Sequence, residues 1–148
     1  METPNRHATP DWLREIDHTG DIGIEVSAAD LAQLFERAAW GMFSVLTNLR
    51  SVRPRAARAV TVEGTDREDL MVQWLSELNF LHVTQHVLFS KFSVDDLEDL
   101  RLSAMAWGEP IDPERHTVHT EIKAITYHQL AIREADDGEW HVQIIFDM

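Results

Sequence analysis

The chain has 148 residues, 44% hydrophobic and 26% charged, as expected for one soluble globular domain. It contains no cysteine, which excludes disulfide bonds and thiolate zinc sites. With 13 basic and 26 acidic residues, its formal net charge is −13. Direct binding of nucleic acid is therefore not expected, because such binding needs Lys and Arg to neutralise phosphates. The acidity either favours a cation or a basic protein as partner, or only keeps the protein soluble.

The N-terminal residues lack hydrophobic periodicity and contain Pro4 and Pro10, so we predict a flexible arm at 1–14 and a single domain at 15–148. The arm has no apolar core of the signal-peptide kind. No apolar run approaches the roughly 20 residues that cross a bilayer. We therefore expect a cytoplasmic protein that makes no membrane contact.

Alternation of apolar and other residues over 22–26 predicts a strand, entered through a loop that contains Gly20. Apolar residues at helical spacing then predict an amphipathic helix over about residues 29–47. Ser27 or Asp30 is placed to cap that helix. The helix has a wide apolar stripe, which is typical of a helix packed on a sheet.

A second strand and helix follow. Residues 59–63 alternate as a short strand. Residues 65–68, Thr-Asp-Arg-Glu, have the spacing of a capping box, in which a hydroxyl and a carboxylate satisfy each other's free amides. We therefore predict a helix over about residues 66–84.

The rest of the chain predicts strands only. Alternation indicates strands at 87–94 and 100–106, joined through Asp95-Asp96, and a turn-rich loop at 108–115. Asp137-Gly138 lies between two alternating runs, which is a strong hairpin signal because Gly accepts a positive φ without strain.

This element order predicts an α+β fold, with two helices packed on a mainly antiparallel sheet in a single compact domain. A fold of this kind does not by itself specify a function.

Most candidate catalytic or metal-binding patterns are weak. His82 and His86 have the i, i+4 spacing of a shared metal site, and His116 and His119 lie close together, but helix-end and loop histidines are common. No glycine-rich nucleotide motif is present, and no sequence context activates a nucleophile. We therefore predict no catalytic residue in this chain.

A stronger candidate combines Asp21 with the last two residues. The side chain of Asp147 lies beside the α-carboxylate of Met148, and two such negative groups repel each other unless a cation lies between them. Asp21 at a strand start adds another hard oxygen donor, suited to Ca²⁺, Mg²⁺ or Mn²⁺. The alternative is that these carboxylates are solvated strand ends. Lys123 is also unusual, because a cation among apolar residues costs free energy unless its head is paired or reaches water.

Six stretches resemble, in the same order, the motifs of the archease family. They are IDHTGDIGIEV at 16–26, WLSELNFL at 74–81, VLFSKFSV at 87–94, AWGEPIDPERH at 106–116, EIKAITYH at 121–128 and VQIIFDM at 142–148. The resemblance covers nearly the whole chain from Ile16 to Met148. Two departures are Gly20, where the family usually has Ala, and Met148, where it usually ends in Val or Ile.

The resemblance implies an accessory protein of an RtcB-type RNA ligase, acting in tRNA splicing and RNA repair, and not an enzyme itself. An archease promotes guanylylation of the ligase and allows multiple turnover. The resemblance also implies a divalent-metal site at Asp21, Asp147 and Met148 and a functionally required lysine at Lys123. It leaves open which metal is used and whether His18 or Glu77 joins the site.

Two other classes of function remain as alternatives at this stage. One is a general chaperone or protein-interaction module with many clients. The other is a stand-alone hydrolase that uses Asp21 and Asp147 on a metal ion, which the absence of a nucleophile or base motif disfavours.

Overall fold

The computed structural model describes residues 9–148 except Thr19 and the side chain of His18. Within these residues, two α-helices, one short 3-10 helix (Leu49–Ser51) and eight strands form one domain; the α-helices and strands are labelled below. In chain order they are β1 Leu13–His18, β2 Asp21–Ala28, α1 Leu31–Leu46, β3 Ala56–Glu63, α2 Arg67–Gln85, β4 Val87–Glu98, β5 Arg101–Pro110, β6 Ala124–Ile125, β7 Ile132–Glu134 and β8 Trp140–Asp147. Most of the predicted arm lies outside the described residues, and its last two residues, 13 and 14, belong to β1.

The strands form two antiparallel sheets. The larger has the order β1-β2-β8-β6, with β7 also paired to β8, and the smaller has the order β3-β5-β4. The predicted α+β class with antiparallel pairing is confirmed, although the strands divide between two sheets instead of one.

No helix among the described residues has the length and apolar character needed to cross a bilayer.

The two helices share one core with both sheets. The apolar stripe of α1 buries Phe35 and Phe43 completely, and α1 packs against β2 and β4. Trp74 of α2 is also fully buried, and its indole Nε1–H donates to the carbonyl of Phe35 at 2.9 Å. The hydrogen bond satisfies the polar atom of an otherwise apolar side chain and joins the helices.

The helix caps agree with the sequence prediction in one case and differ in the other. Asp30, the second of the two predicted candidates, caps α1 by accepting from the Gln33 N–H. The cap of α2 is Asp66, one residue later than the predicted Thr65. The carboxylate that accepts from the Thr65 N–H belongs to Asp69, not Glu68, so the predicted capping box was wrong by one residue.

The β4–β5 hairpin turns later than predicted. Asp95 and Asp96 lie inside β4, with a bulge beside them, and the turn is formed by Asp99 and Leu100 at φ values of 53° and 60°. A positive φ is uncommon for Leu, so the sequence carried no signal for this turn. The predicted loop at 108–115 was also wrong at its start, because β5 continues to Pro110.

Gly108 is required where β5 crosses a bulge in β4. A Cβ at this position would lie 1.8 Å from the carbonyl oxygen of Leu88. Only glycine allows the two backbones to approach this closely.

The predicted hairpin at Asp137-Gly138 is confirmed, with Gly138 at a φ of +87°. Its first strand is divided in two. β7 pairs with the start of β8, and β6 pairs with its end. Thr126 still donates to the carbonyl of Ile145 in β8, and residues 127–131 then leave the sheet before β7 returns to it. β6 and the residue before it therefore lie beside the last residues of β8.

Candidate metal and lysine site

The ends of β1 and β8 and the starts of β2 and β6 lie together at one edge of the larger sheet. β2 begins at Asp21, and β8 ends at Asp147. The pairing of Ile22 with Phe146 places Asp21 and Asp147 each one residue further along, on neighbouring strands. The predicted site residues therefore come from segments that are adjacent in space, although they are far apart in sequence.

The two aspartates project from the same side of the sheet. Phe146 is fully buried in the core, on the strand that contacts α1. Because side chains alternate along a strand, Asp21 and Asp147 point away from that core face. Asp147 is exposed and Asp21 is half-buried. Both carboxylates therefore lie outside the core and do not contribute to its packing.

Lys123 lies on the other side of Asp147 from Asp21. Its backbone N–H donates to the carbonyl of Asp147 at 2.8 Å, immediately before the pairing of Ala124 with Asp147. The side chain of Lys123 is exposed and lines a groove of about 460 Å³ between α2 and β6. The lysine that looked anomalous in the sequence therefore has its charged head in water, as a cation among apolar neighbours requires.

The donor chemistry at this edge suits a hard divalent cation. Carboxylate oxygens are the ligands that Ca²⁺, Mg²⁺ and Mn²⁺ prefer. Among the described residues, no group of three or more His, Cys, Asp or Glu side chains is arranged to hold a metal ion. Met148, which follows Asp147 directly, is half-buried.

The N-terminal turn of α2 holds the segment that follows Lys123. The hydroxyl of Tyr127 donates to Asp69 at 2.6 Å, and the N–H of Ile132 donates to Glu68 at 3.0 Å. The hydrogen bond from Tyr127 is the main cause that lowers the pKa of Asp69 from 3.8 to about 2. α2 thus supports this side of the site from outside the sheet.

The weaker candidates are not brought together. His82 is buried, with Nδ1 2.8 Å from the carbonyl of Val87, and His86 is the exposed C-cap of α2. His116 is buried in a separate cluster, whereas His119 is exposed. Glu77 is half-buried on α2.

Sequence reasoning missed a buried ionic cluster around Glu109. This carboxylate is 3% exposed and accepts two hydrogen bonds from Arg115, at 2.8 and 2.9 Å, and one from the Arg53 N–H at 2.8 Å. His116 Nδ1 accepts from the Asp112 N–H, so Nε2 carries the proton that is donated to Glu109 at 2.9 Å. The only signal in the sequence was a Glu followed by Arg inside the predicted loop and by His just after it.

Comparisons with known proteins find relatives that match nearly the whole chain. The family model described as the archease protein family matches residues 13–148. A protein archease of Methanopyrus kandleri is 38% identical over 137 residues, covering 90% of this chain and 97% of that protein. A protein archease of Pyrococcus abyssi is 38% identical, covering 89% and 95%. The solution structure of Methanobacterium thermoautotrophicum protein 1598 is 37% identical, with a TM-score of 0.80, covering 93% of this chain and 99% of that chain.

Proposed function

This chain belongs to the archease family, and from that premise we propose that it is the accessory protein of an RtcB-type RNA ligase. In this role it promotes guanylylation of the ligase and allows repeated turnover in tRNA splicing and RNA repair. The observation that supports the proposal best is the edge of the larger sheet, where Asp21, Asp147 and Lys123 lie on neighbouring segments. Their predicted roles agree with this arrangement.

In this proposal, Asp21, Asp147 and the α-carboxylate of Met148 hold one divalent cation. When bound, the cation supplies a concentrated positive charge at a surface that is otherwise acidic. The exposed carboxylate of Asp147 and the half-buried carboxylate of Asp21 lower their mutual repulsion by sharing it.

Lys123 contacts a nucleotide phosphate or a carboxylate of the ligase. Its exposed side chain lines the groove against α2, and its backbone bond to Asp147 holds this segment beside the strand that carries that carboxylate. Lysine is suited to this role, because its ammonium is a compact charge with three donors.

The ligase docks over the groove beside Lys123. Phe80 and Val83 project from one face of α2, line this groove and are 57% and 46% exposed. Exposed apolar side chains at helical spacing, next to a functional lysine, are typical of a protein contact. The net charge of −13 favours a partner surface that is basic around an apolar centre.

The direct test is single-turnover guanylylation of the ligase with and without this protein. Wild-type protein should raise the rate, and Lys123→Ala should lower the stimulation on the order of 10-fold or more, because a charge-assisted contact is lost. Lys91→Ala is the matched control, since Lys91 is the only other lysine and lies over Trp107 in the smaller sheet.

Absence of stimulation by wild-type protein would contradict the proposed function. Equal stimulation by Lys123→Ala and wild type would contradict the role of the lysine. A metal-independent effect on unrelated client proteins would favour a general chaperone instead.

We expect Phe80→Ser and Val83→Ser each to weaken binding to the ligase by on the order of 10-fold, because apolar anchors at an interface commonly contribute more than 1 kcal/mol. The measurement is a titration of labelled ligase. Leu100→Ser and Val118→Ser remove other apolar side chains, each 38% exposed, away from the groove and should bind as wild type does. Equal losses in all four variants would show that the groove is not the docking site.

A further inference from the structure

Asn79 is a buried polar residue on α2, only 8% exposed. Its Nδ2 donates to the carbonyl of Ile122 at 2.9 Å. Within the described part of the chain, Oδ1 of Asn79 is the one buried side-chain polar atom without a hydrogen-bond partner. A half-satisfied carboxamide in a core costs free energy, so its presence needs a reason other than packing.

The hydrogen bond of Asn79 ends next to the functional lysine. Ile122 is 2% exposed and immediately precedes Lys123. The Lys123 N–H in turn donates to the carbonyl of Asp147. The Ile122 carbonyl and the Lys123 N–H belong to one peptide group, which α2 therefore holds at its oxygen and β8 holds at its N–H.

Attachment of this segment to the core does not require Asn79. The side chains of Ile122 and Ile125 are already buried, and Tyr127 is tied to Asp69. An apolar residue at position 79 would fill the same space without burying Oδ1. The hydrogen bond from the carboxamide orients the Ile122 carbonyl, and with it the backbone N–H of Lys123, which burial alone does not do.

We propose that Asn79 is a positioning residue, which fixes the backbone on which Lys123 and the carbonyl of Asp147 are aligned. Asn79 also lines the groove beside Lys123 but is only 8% exposed, so we assign its effect to those residues and not to contact with the ligase or the metal. This inference rests on the proposed function, since it assigns Asn79 a part in ligase activation.

The test uses the full chain with Asn79→Leu, which has a similar volume but no donor. We expect a fall on the order of 10-fold in the maximal stimulation of guanylylation, as for partners that orient a functional group. The ligase concentration for half-maximal stimulation should stay unchanged. In a Lys123→Ala background, Asn79→Leu should cause little further loss.

Amide hydrogen exchange gives a second measurement that needs no ligase. Protection of the Lys123 N–H should fall in Asn79→Leu. Thr47→Val is the matched control, because it removes another buried side-chain to backbone hydrogen bond, 2.7 Å from the Thr47 hydroxyl to the Thr117 carbonyl. The control should change neither the protection of Lys123 nor the stimulation. If Asn79→Leu does not fold, Asn79→Ala removes the same donor without overfilling the core.

Unchanged protection and unchanged stimulation in a folded Asn79 variant would overturn the inference. An equal loss from Asn79→Leu with and without Lys123 would overturn it as well, because Asn79 would then act elsewhere. If wild-type protein fails to stimulate the ligase, the proposed function fails, while the exchange measurement still decides whether Asn79 orders Lys123.

Discussion

Asp147→Asn is expected to lower activation of the ligase by on the order of 100-fold, the upper end of the effects seen when groups around a metal are removed. The change removes one negative charge from the proposed ligand set but retains the size of the side chain. Asp147 is exposed, and its backbone, not its side chain, holds Lys123. The free energy of unfolding should therefore change by no more than about 0.5 kcal/mol.

Two measurements separate a metal effect from a structural one. Calorimetric titration with Ca²⁺ and with Mn²⁺ should show weaker binding by Asp147→Asn, and a chelator should lower stimulation by wild-type protein. Asp95→Asn is the matched control, because Asp95 is an exposed carboxylate in the smaller sheet. Wild-type metal affinity in Asp147→Asn would exclude Asp147 as a ligand, and a chelator without effect would exclude a role for the metal in activation.

Glu109→Gln is expected to cause the largest loss of stability, about 3 kcal/mol, the low end for breaking a buried ion pair. The side chain of Glu109 is 2% exposed, whereas that of Arg115 is 31% exposed and keeps some solvation after the change. Glutamine cannot accept from Arg115, His116 and the Arg53 N–H as a carboxylate does. The NH₂ group of its amide would instead face the N–H donors of these residues.

Thermal unfolding measures this effect, and a loss of that size should lower the Tm by about 9 °C for a chain of this length. Glu63→Gln, an exposed carboxylate at the end of β3, is the control and should leave the Tm nearly unchanged. A Tm for Glu109→Gln equal to that of wild type would mean that the cluster does not contribute to stability.

The same cluster predicts a dependence of stability on pH. Hydrogen bonds from Arg115 are the main cause that lowers the pKa of Glu109 from 4.5 to about 2. The folded state therefore releases this proton more readily than the unfolded state, and stability from Glu109 is fully present above pH 4.5 and is lost as the pH falls towards 2. Glu109→Gln should flatten this part of the stability profile. A profile that falls equally in variant and wild type would place the acid sensitivity elsewhere.

The stretch 106–116 shows how a sequence motif and a functional site differ. It contributed to the resemblance to the archease family, yet Glu109, Arg115 and His116 form a buried ionic cluster with the Ser51 carbonyl, away from the edge that carries Asp21 and Asp147. Its residues join β5 to the loop before β3. The proposed role of this motif is therefore stability, and that of the stretches that contain Lys123 and Met148 is ligase activation.

Local pattern was sufficient for the elements whose side chains alternate or repeat regularly. Sequence pattern predicted the apolar stripe of α1, the alternation in β2 and β8, and the turn at Asp137-Gly138. Each of these features depends only on neighbours within a few residues. The turn at Asp99 and Leu100 could not be predicted, since a bulge in β4 shifts the strand pairing and tertiary contacts override the preference of Leu for a negative φ.

The sequence by itself determined the two helices, most of the strands and the kinds of oxygen and nitrogen donors available. Only the tertiary structure decided that β8 lies between β2 and β6, so that Asp21, Asp147 and Lys123 share one edge. It also decided that Asn79 of α2 reaches the carbonyl of Ile122. The reason is that strand pairing is chosen by the burial of whole faces, a property of segments distant in sequence that no local pattern records.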